Sequence, residues 1–246
     1  MQEPEKVIET REPLDTEVEL PGGFITESGQ VVTTAEVKEL NGADEEAIAK
    51  AGSTAKSMNV LLERGLVKLG GKEASRDDLD ALLSGDRDAI LLGIRKATFG
   101  KDMELRVRCN RCGEEQQTVI DFDTDIPVRK LKDSVRDRNW VVETKSGPVG
   151  VALPNGIVQR KLMESVDLTV PEVNTILLSG CVTSINGSIS VGASGPLSLG
   201  MTDRTKIIDS IVSKNPGPRL GEVTKACKAC EEEINLPLSL MDLFRF

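Results

Sequence analysis

Two Cys-x-x-Cys elements, Cys109 to Cys112 and Cys227 to Cys230, stand in a chain of 246 residues that contains no histidine. Any transition metal bound here has to be held by thiolates, and two pairs of thiolates match the tetrahedral, sulfur-accepting chemistry of structural zinc. Two residues between paired cysteines let a tight knuckle present both sulfurs to one ion, so each pair supplies half a site. The first knuckle reads Arg106-Val-Arg-Cys-Asn-Arg-Cys-Gly113, with glycine where the turn calls for a positive φ. Alternating, strand-like runs flank it at 103–108 and 116–122. The second reads Glu222-Val-Thr-Lys-Ala-Cys-Lys-Ala-Cys-Glu231 and precedes another strand-like run, 233–238. Both are expected at hairpin tips, as in a zinc ribbon.

The separation is unusual, since 114 residues lie between Cys112 and Cys227. Chain entropy does not forbid closure. Lengthening a loop from roughly 15 to roughly 115 residues costs about 2 kcal/mol, against about 10–16 kcal/mol for a thiolate-bound structural zinc. The gap can therefore hold a folded insertion. Separate disulfides, free thiols and a redox pair stay open as alternatives. A thioredoxin-like pair needs a helix starting at the motif inside a βαβ unit, and neither pair has that setting. The fifth cysteine, Cys181, lies in an apolar run and reads as a small buried hydrophobe.

Without histidine, the usual general base, the Ser and Cys triads and most catalytic zinc ligand sets are missing. No phosphate-binding glycine loop appears either. Ser53-Thr-Ala-Lys56 matches a Ser-x-x-Lys pattern without its companion motifs and reads as helix. The expectation is a non-enzymatic protein with no small-molecule substrate and no catalytic residue. There is no basic leader followed by an apolar stretch and no apolar run long enough to span a bilayer, so neither export nor a membrane is expected. A net charge of −9 disfavours nucleic acid as a partner. A local cationic patch, with Arg106, Arg108 and Arg111 near its centre and Arg129 to Arg138 following, keeps a zinc-ribbon nucleic-acid-binding or transcription-associated protein as the alternative. With no tyrosine and one tryptophan, Trp140, that patch has little to stack on bases.

Residues 1–20 hold seven acids and few large apolar groups, and read as a flexible acidic arm that could dock on a basic subunit. Leu20-Pro-Gly-Gly-Phe24 reads as a turn, 30–40 as strand-like, and Asn41-Gly-Ala-Asp44 as a helix cap. Helical spacing follows at 44–50, 54–69 and 75–83, where Ser75 and Asp78 form a capping box. The clearest helix starts at Asp86 and stops at Gly100. Between the knuckles, 140–143, 149–153 and 157–162 are strand candidates. Pro171 starts a helix over 172–178, Asn186-Gly187 makes a hairpin, and a further helix covers 203–212.

The order Leu20-Pro-Gly-Gly23, Leu40-Asn-Gly-Ala-Asp-Glu-Glu46, Leu61-Leu-Glu-Arg64, a helix from Asp86 to Arg95, Phe99-Gly100 and Cys109-x-x-Cys-Gly113 resembles the T-even-like bacteriophage baseplate hub assembly chaperone family. The second Cys pair, Cys227 and Cys230, followed by Pro237, Phe244 and Phe246, extends the resemblance. It covers about half of the chain. Glu231 departs from it where a second knuckle glycine is expected, as does the Gly-Phe continuation of the early turn. The resemblance implies a hub component or hub assembly chaperone, with partners among the baseplate hub or other tail proteins. It also implies residence in the host cytoplasm during assembly or in the virion tail baseplate.

The expected fold is α+β. An acidic arm (1–20) precedes a turn/strand and helical region (21–101). A split zinc-ribbon-like module (102–123 and 222–246) then encloses an inserted α+β domain (124–221). Cys109, Cys112, Cys227 and Cys230 are the expected ligands of one structural Zn2+. The apolar C-terminal residues, among them Leu238, Leu243 and Phe244, either dock on a partner or pack internally.

Overall fold

A computed structural model describes residues 16–244 apart from Val166, Val191 and Pro237, and it mixes helix and sheet. The expected acidic arm falls mostly on residues 1–15, outside the described residues. Its last positions are not an arm. Glu17–Ile25 (β1) pairs antiparallel with Val31–Val37 (β2), burying Val18 and Leu20. Alternation of Glu17, Val18, Glu19 and Leu20 puts the acids outside and the apolar pair inside, which outweighs the local charge. The Pro21-Gly-Gly segment is likewise not a turn. It forms a bulge inside β1, with the register shifting between Glu19 and Phe24 and Gly23 at φ +72.

Asn41 caps Gly42–Ala49 (α1), its side chain accepting the Asp44 amide while Asp44 accepts the Asn41 amide. Thr54–Gly65 (α2) ends four residues before the expected boundary. Leu66–Leu69 (β3) pairs with β2 and then with Lys72–Glu73 (β4), completing the sheet β1-β2-β3-β4. Helical spacing alone could not reveal that edge-to-edge pairing. Ser75 caps Arg76–Ala81 (α3), and Ser84–Phe99 (α4) runs through the centre with Ile90, Leu91, Ile94 and Ala97 wholly buried. Its first turn is pressed against a later segment: a Cβ on Gly85 would collide with the Pro216 carbonyl.

Asp102–Arg108 (β5) and Glu115–Asp121 (β6) form a hairpin. Val128–Arg129 (β7) pairs with Gly217–Pro218 (β12), so the chain leaves and returns to the body side by side. Between them, Asn139–Thr144 (β8), Gly147–Ala152 (β9), Val182–Ile185 (β10) and Ser188–Ile189 (β11) make a second sheet in the order β11-β10-β9-β8. The strand expected at 157–162 is a helix, Gly156–Met163 (α5), because Asn155 accepts the Val158 amide as an N-cap. Val170–Cys181 (α6), Ser194–Ser198 (α7) and Met201–Lys214 (α8) follow. Asn186 (φ 50) and Gly187 (φ 76) turn the β10–β11 hairpin as expected.

Two apolar clusters result. The first draws on β1 to β3, α4, the β5–β6 region and the C-terminal segment, including Ile234, Leu236, Leu243 and Phe244. The second is built from Val142, Val149, Val151, Leu178, Cys181, Ile207, Ile211 and their neighbours. α5 seats one unit on the other. Arg87, buried on α4, donates to Gln159 Oε1 (2.7 Å), the Leu79 carbonyl (2.7 Å) and Asn59 Oδ1 (2.6 Å), while Arg160 forks onto Asp80 at 2.6 and 2.9 Å. Burial lowers the Arg87 pKa to about 10, which leaves it charged at neutral pH.

Candidate metal centre

The hairpin of β5 and β6 carries the first knuckle at its tip. A shorter one, Thr224–Ala226 (β13) with Glu233–Asn235 (β14), carries the second. Both knuckles fold alike. The Cys109 amide donates to the Glu114 carbonyl (2.9 Å) and the Gly113 amide to the Cys109 carbonyl (3.0 Å). In the second knuckle the Cys227 amide reaches Glu232 (2.8 Å) and the Glu231 amide reaches Cys227 (2.9 Å). Gly113 stands at φ 76 and Glu231 at φ 60. The departure from glycine at Glu231 therefore leaves the turn geometry unchanged and places a side chain in a left-handed conformation.

The two turns aim their sulfurs at one point. Cys109 Sγ lies 3.7 Å from Cys230 Sγ, Cys112 Sγ lies 3.7 Å from Cys227 Sγ, and all four fall within 4.8 Å of one another. A regular tetrahedron with metal–sulfur bonds of about 2.3 Å has edges of about 3.8 Å, close to the spacing found. The cysteines are free thiols, not disulfides, and the group could hold a metal ion. Cys109 and Cys227 are buried, Cys230 is half-buried and Cys112 faces solvent.

Electrostatics favour a first thiolate. The amides of Cys112 and Arg111 pull the Cys109 thiol down to about 7. Further ionisation is resisted: the Glu232 amide favours the Cys230 thiolate, but burial and the neighbouring sulfurs outweigh it and push that thiol up to about 12. A cation among the sulfurs would relieve this repulsion. Cys181 does not join them. It is fully buried in the second cluster, where burial pushes its thiol to about 12.

One contributor escaped sequence reasoning. Gln116, buried on β6, accepts the Lys228 amide at 2.8 Å and donates to the Ala226 carbonyl at 3.4 Å, fastening the second knuckle to the first hairpin. The available signal was its inward parity with Thr118 and Ile120, since a glutamine facing a core needs partners. On the outside, Arg111 bridges to Glu232 at 2.6 Å.

The local cationic patch is largely committed internally. Lys96 pairs with Asp123, Lys101 with Asp121, Lys130 with Glu19 and Arg136 with Asp133. Arg95 stacks over Phe99 and Phe122, and Arg138 donates to the carbonyls of Ser134, Gly22 and Gly23. The C-terminal apolar residues pack inward: Leu238, Leu243 and Phe244 are buried in the first cluster, whereas Met241 is exposed. Phe246 lies outside the described residues. Among the described residues, no helix is long and apolar enough to cross a membrane.

No curated protein and no solved structure matches the chain. The family model described as T4 bacteriophage base plate protein matches residues 28–193, a span that takes in the first knuckle and most of the inserted unit. With two thirds of its length matched, the chain belongs to the T4 bacteriophage base plate protein family.

Proposed function

We propose that this baseplate protein is a hub component or hub assembly chaperone whose distant ends are clasped by one structural zinc ion on Cys109, Cys112, Cys227 and Cys230. The observation that carries the clasp is the near-tetrahedral spacing of four sulfurs drawn from pairs far apart in sequence. Zinc would supply no chemistry of reaction here. It would neutralise thiolates and fix the β5–β6 and β13–β14 hairpins as a split zinc-ribbon-like module, with residues 124–221 inserted between its halves. The motif order shared with hub assembly chaperones supports the hub assignment, and its partners are then hub or other tail proteins. Internal pairing of the basic side chains weighs against the nucleic-acid-binding alternative.

Two measurements test the parts separately. Metal analysis of the purified chain is expected to give one zinc per polypeptide; two per chain, or none after purification without chelator, sinks the shared clasp. Co-purification from infected cells is expected to recover hub proteins. Mass spectrometry of mature particles then separates a retained component, present in particles, from a chaperone that departs. Failure to recover any tail protein overturns the hub reading while leaving the clasp standing.

A further inference from the structure

β5 is a straight edge strand. Its seven residues pair with β6 in unbroken register, with no proline, lysine or bulge. The ladder fixes which backbone groups are spent. The Lys101 carbonyl accepts the Phe122 amide and the Cys109 amide donates to Glu114, so Met103, Leu105 and Val107 share their hydrogen bonds with β6. Asp102, Glu104, Arg106 and Arg108 turn N–H and C=O to the other side, where no strand pairs with them among the described residues. The other long edges are interrupted or capped: β1 carries the bulge at Pro21-Gly-Gly, whose backbone bonds Asp86 and Leu131, and on β6 the Lys228 ammonium donates to the Gln117 carbonyl while Asp125 accepts the Asp121 amide. The remaining edges are short or capped: β14 has three residues, β4 has two, and the Lys206 ammonium caps the Glu143 carbonyl on β8 at 2.6 Å.

Beside β5 lies a groove of about 670 Å³, lined by Met103, Leu105 and Val107 on one side and Ile234, Leu236 and Leu238 on the other. The β5 side chains are only half-buried there. The sequence of the strand says what fits. Asp102-Met-Glu-Leu-Arg-Val-Arg108 carries two acids, then two bases, at its outward-bonding positions, with apolar residues between. Laid antiparallel against itself, it puts Asp102 opposite Arg108 and Glu104 opposite Arg106, with Leu105 opposite Leu105. The same register satisfies backbone parity, because residues with outward N–H and C=O face residues of the same kind. It also sets the second strand's apolar side chains on the same sheet face, over the groove.

We propose that β5 is a self-complementary edge through which two copies of this chain pair about a two-fold axis at Leu105, merging two hairpins into one four-stranded sheet. The interface is isologous, so each charge pair occurs twice. This pairing is independent of the hub assignment and of the metal.

The test exploits that duplication. Sedimentation velocity on the full chain over a range of concentrations is expected to show a monomer–dimer equilibrium. Glu104→Arg sets two arginines opposite each other and Arg106→Glu sets two glutamates. Each variant alone is expected to weaken dimerisation by roughly tenfold or more, like charges being unfavourable directly across a ladder. Mixing the two variants restores opposite charges at both positions and is expected to return the dimer as a heterodimer. Both side chains are exposed, and circular dichroism confirms that each variant is folded before mixing. A wild-type chain that stays monomeric at every concentration overturns the proposal. So does a dimer unaffected by the single substitutions, or a mixture of folded variants that does not re-form it.

Discussion

The body and the inserted unit of this chain solve closure differently. The first cluster collects residues from Val18 to Phe244, from both ends of the described chain. The second is contiguous, from Val142 to Ile211, and its cysteine is an inert part of the core. Local contacts close at little entropic cost, whereas the body must bring its ends together across the insertion. Four thiols stand where that long closure occurs, and none of them in the unit that does without it. The proposed clasp would act where chain connectivity gives least help.

The largest expected effect breaks the comparison at the clasp. If the proposed zinc is bound, Cys227→Ser, or chelation of the native protein, is expected to remove metal-linked stability on the order of 10 kcal/mol from the body. The inserted unit should survive, because its core contains none of the ligands. Trp140, the one tryptophan, sits in that unit with its Nε1 donating to Ser210 at 2.8 Å. Its fluorescence transition in urea is therefore expected to persist while much of the far-ultraviolet ellipticity is already lost. Simultaneous loss of both signals at the lower denaturant concentration would mean that the units are one cooperative block and the contrast is wrong.

Acid–base behaviour sharpens the contrast. On the body side, Asp86 is buried at the β1 bulge, with Oδ1 accepting the Gly22 amide at 2.6 Å and Oδ2 without a partner. Burial raises its pKa from 3.8 to about 6, although the Gly22 amide and the nearby Arg138 hold it partly down. A carboxyl whose folded pKa is raised binds its proton more tightly in the folded state. Its contribution is thus fully present below about pH 4 and is lost as pH rises through 6, by roughly 3 kcal/mol. In the inserted unit Asp203 has the opposite sign: the Lys145 amide and the Ser146 hydroxyl and amide lower its pKa. Its contribution is present at neutral pH and is lost as pH falls through that depressed value. Urea unfolding followed by ellipticity between pH 4 and 7 should show body stability declining with pH. Part of the decline comes from Asp88 on the same helix, whose pKa burial raises to about 7, so Asp86→Asn should lessen the decline without abolishing it. An unchanged slope in the variant removes Asp86 as a source.

Much of this was legible in the sequence wherever the determinant is local. Asn41 with Asp44, Ser75 with Asp78, Asn186 with Gly187, and Gly100 after α4 each specify a cap or turn within a few residues. The thiol pairs were legible for the same reason, each knuckle being a closed local turn. What was hidden depends on partners distant in sequence. Pro21-Gly-Gly becomes a bulge because β2 continues past it and because Asp86 and Leu131 bond its backbone. Leu66–Leu69 is a strand because β2 offers an edge. Residues 157–162 carry apolar positions compatible with either period, and the decision falls to the Asn155 cap and to Gln159 and Arg160 binding the body. The inward parity of Gln116 signalled a need for partners, but their identity was hidden because both lie at the second knuckle.

The smallest expected effect compares the two halves of the clasp itself. Gly113 and Glu231 occupy the same left-handed position, at φ 76 and φ 60, behind the second cysteine of each knuckle. For a residue with a Cβ that conformation costs about 1–2 kcal/mol, while glycine loses more freedom on folding by about 0.5–1 kcal/mol. Glu231→Gly should therefore stabilise the chain by a few tenths to about 1 kcal/mol, and Gly113→Ala should destabilise it by a similar amount or more. Charge offers a competing cause, since removing a carboxylate beside clustered thiolates also helps. Glu231→Gln removes the charge but keeps the Cβ. If the glutamine and glycine variants gain equally in urea unfolding, the benefit is electrostatic; a gain confined to the glycine variant shows that the second knuckle carries the backbone strain which Gly113 avoids in the first.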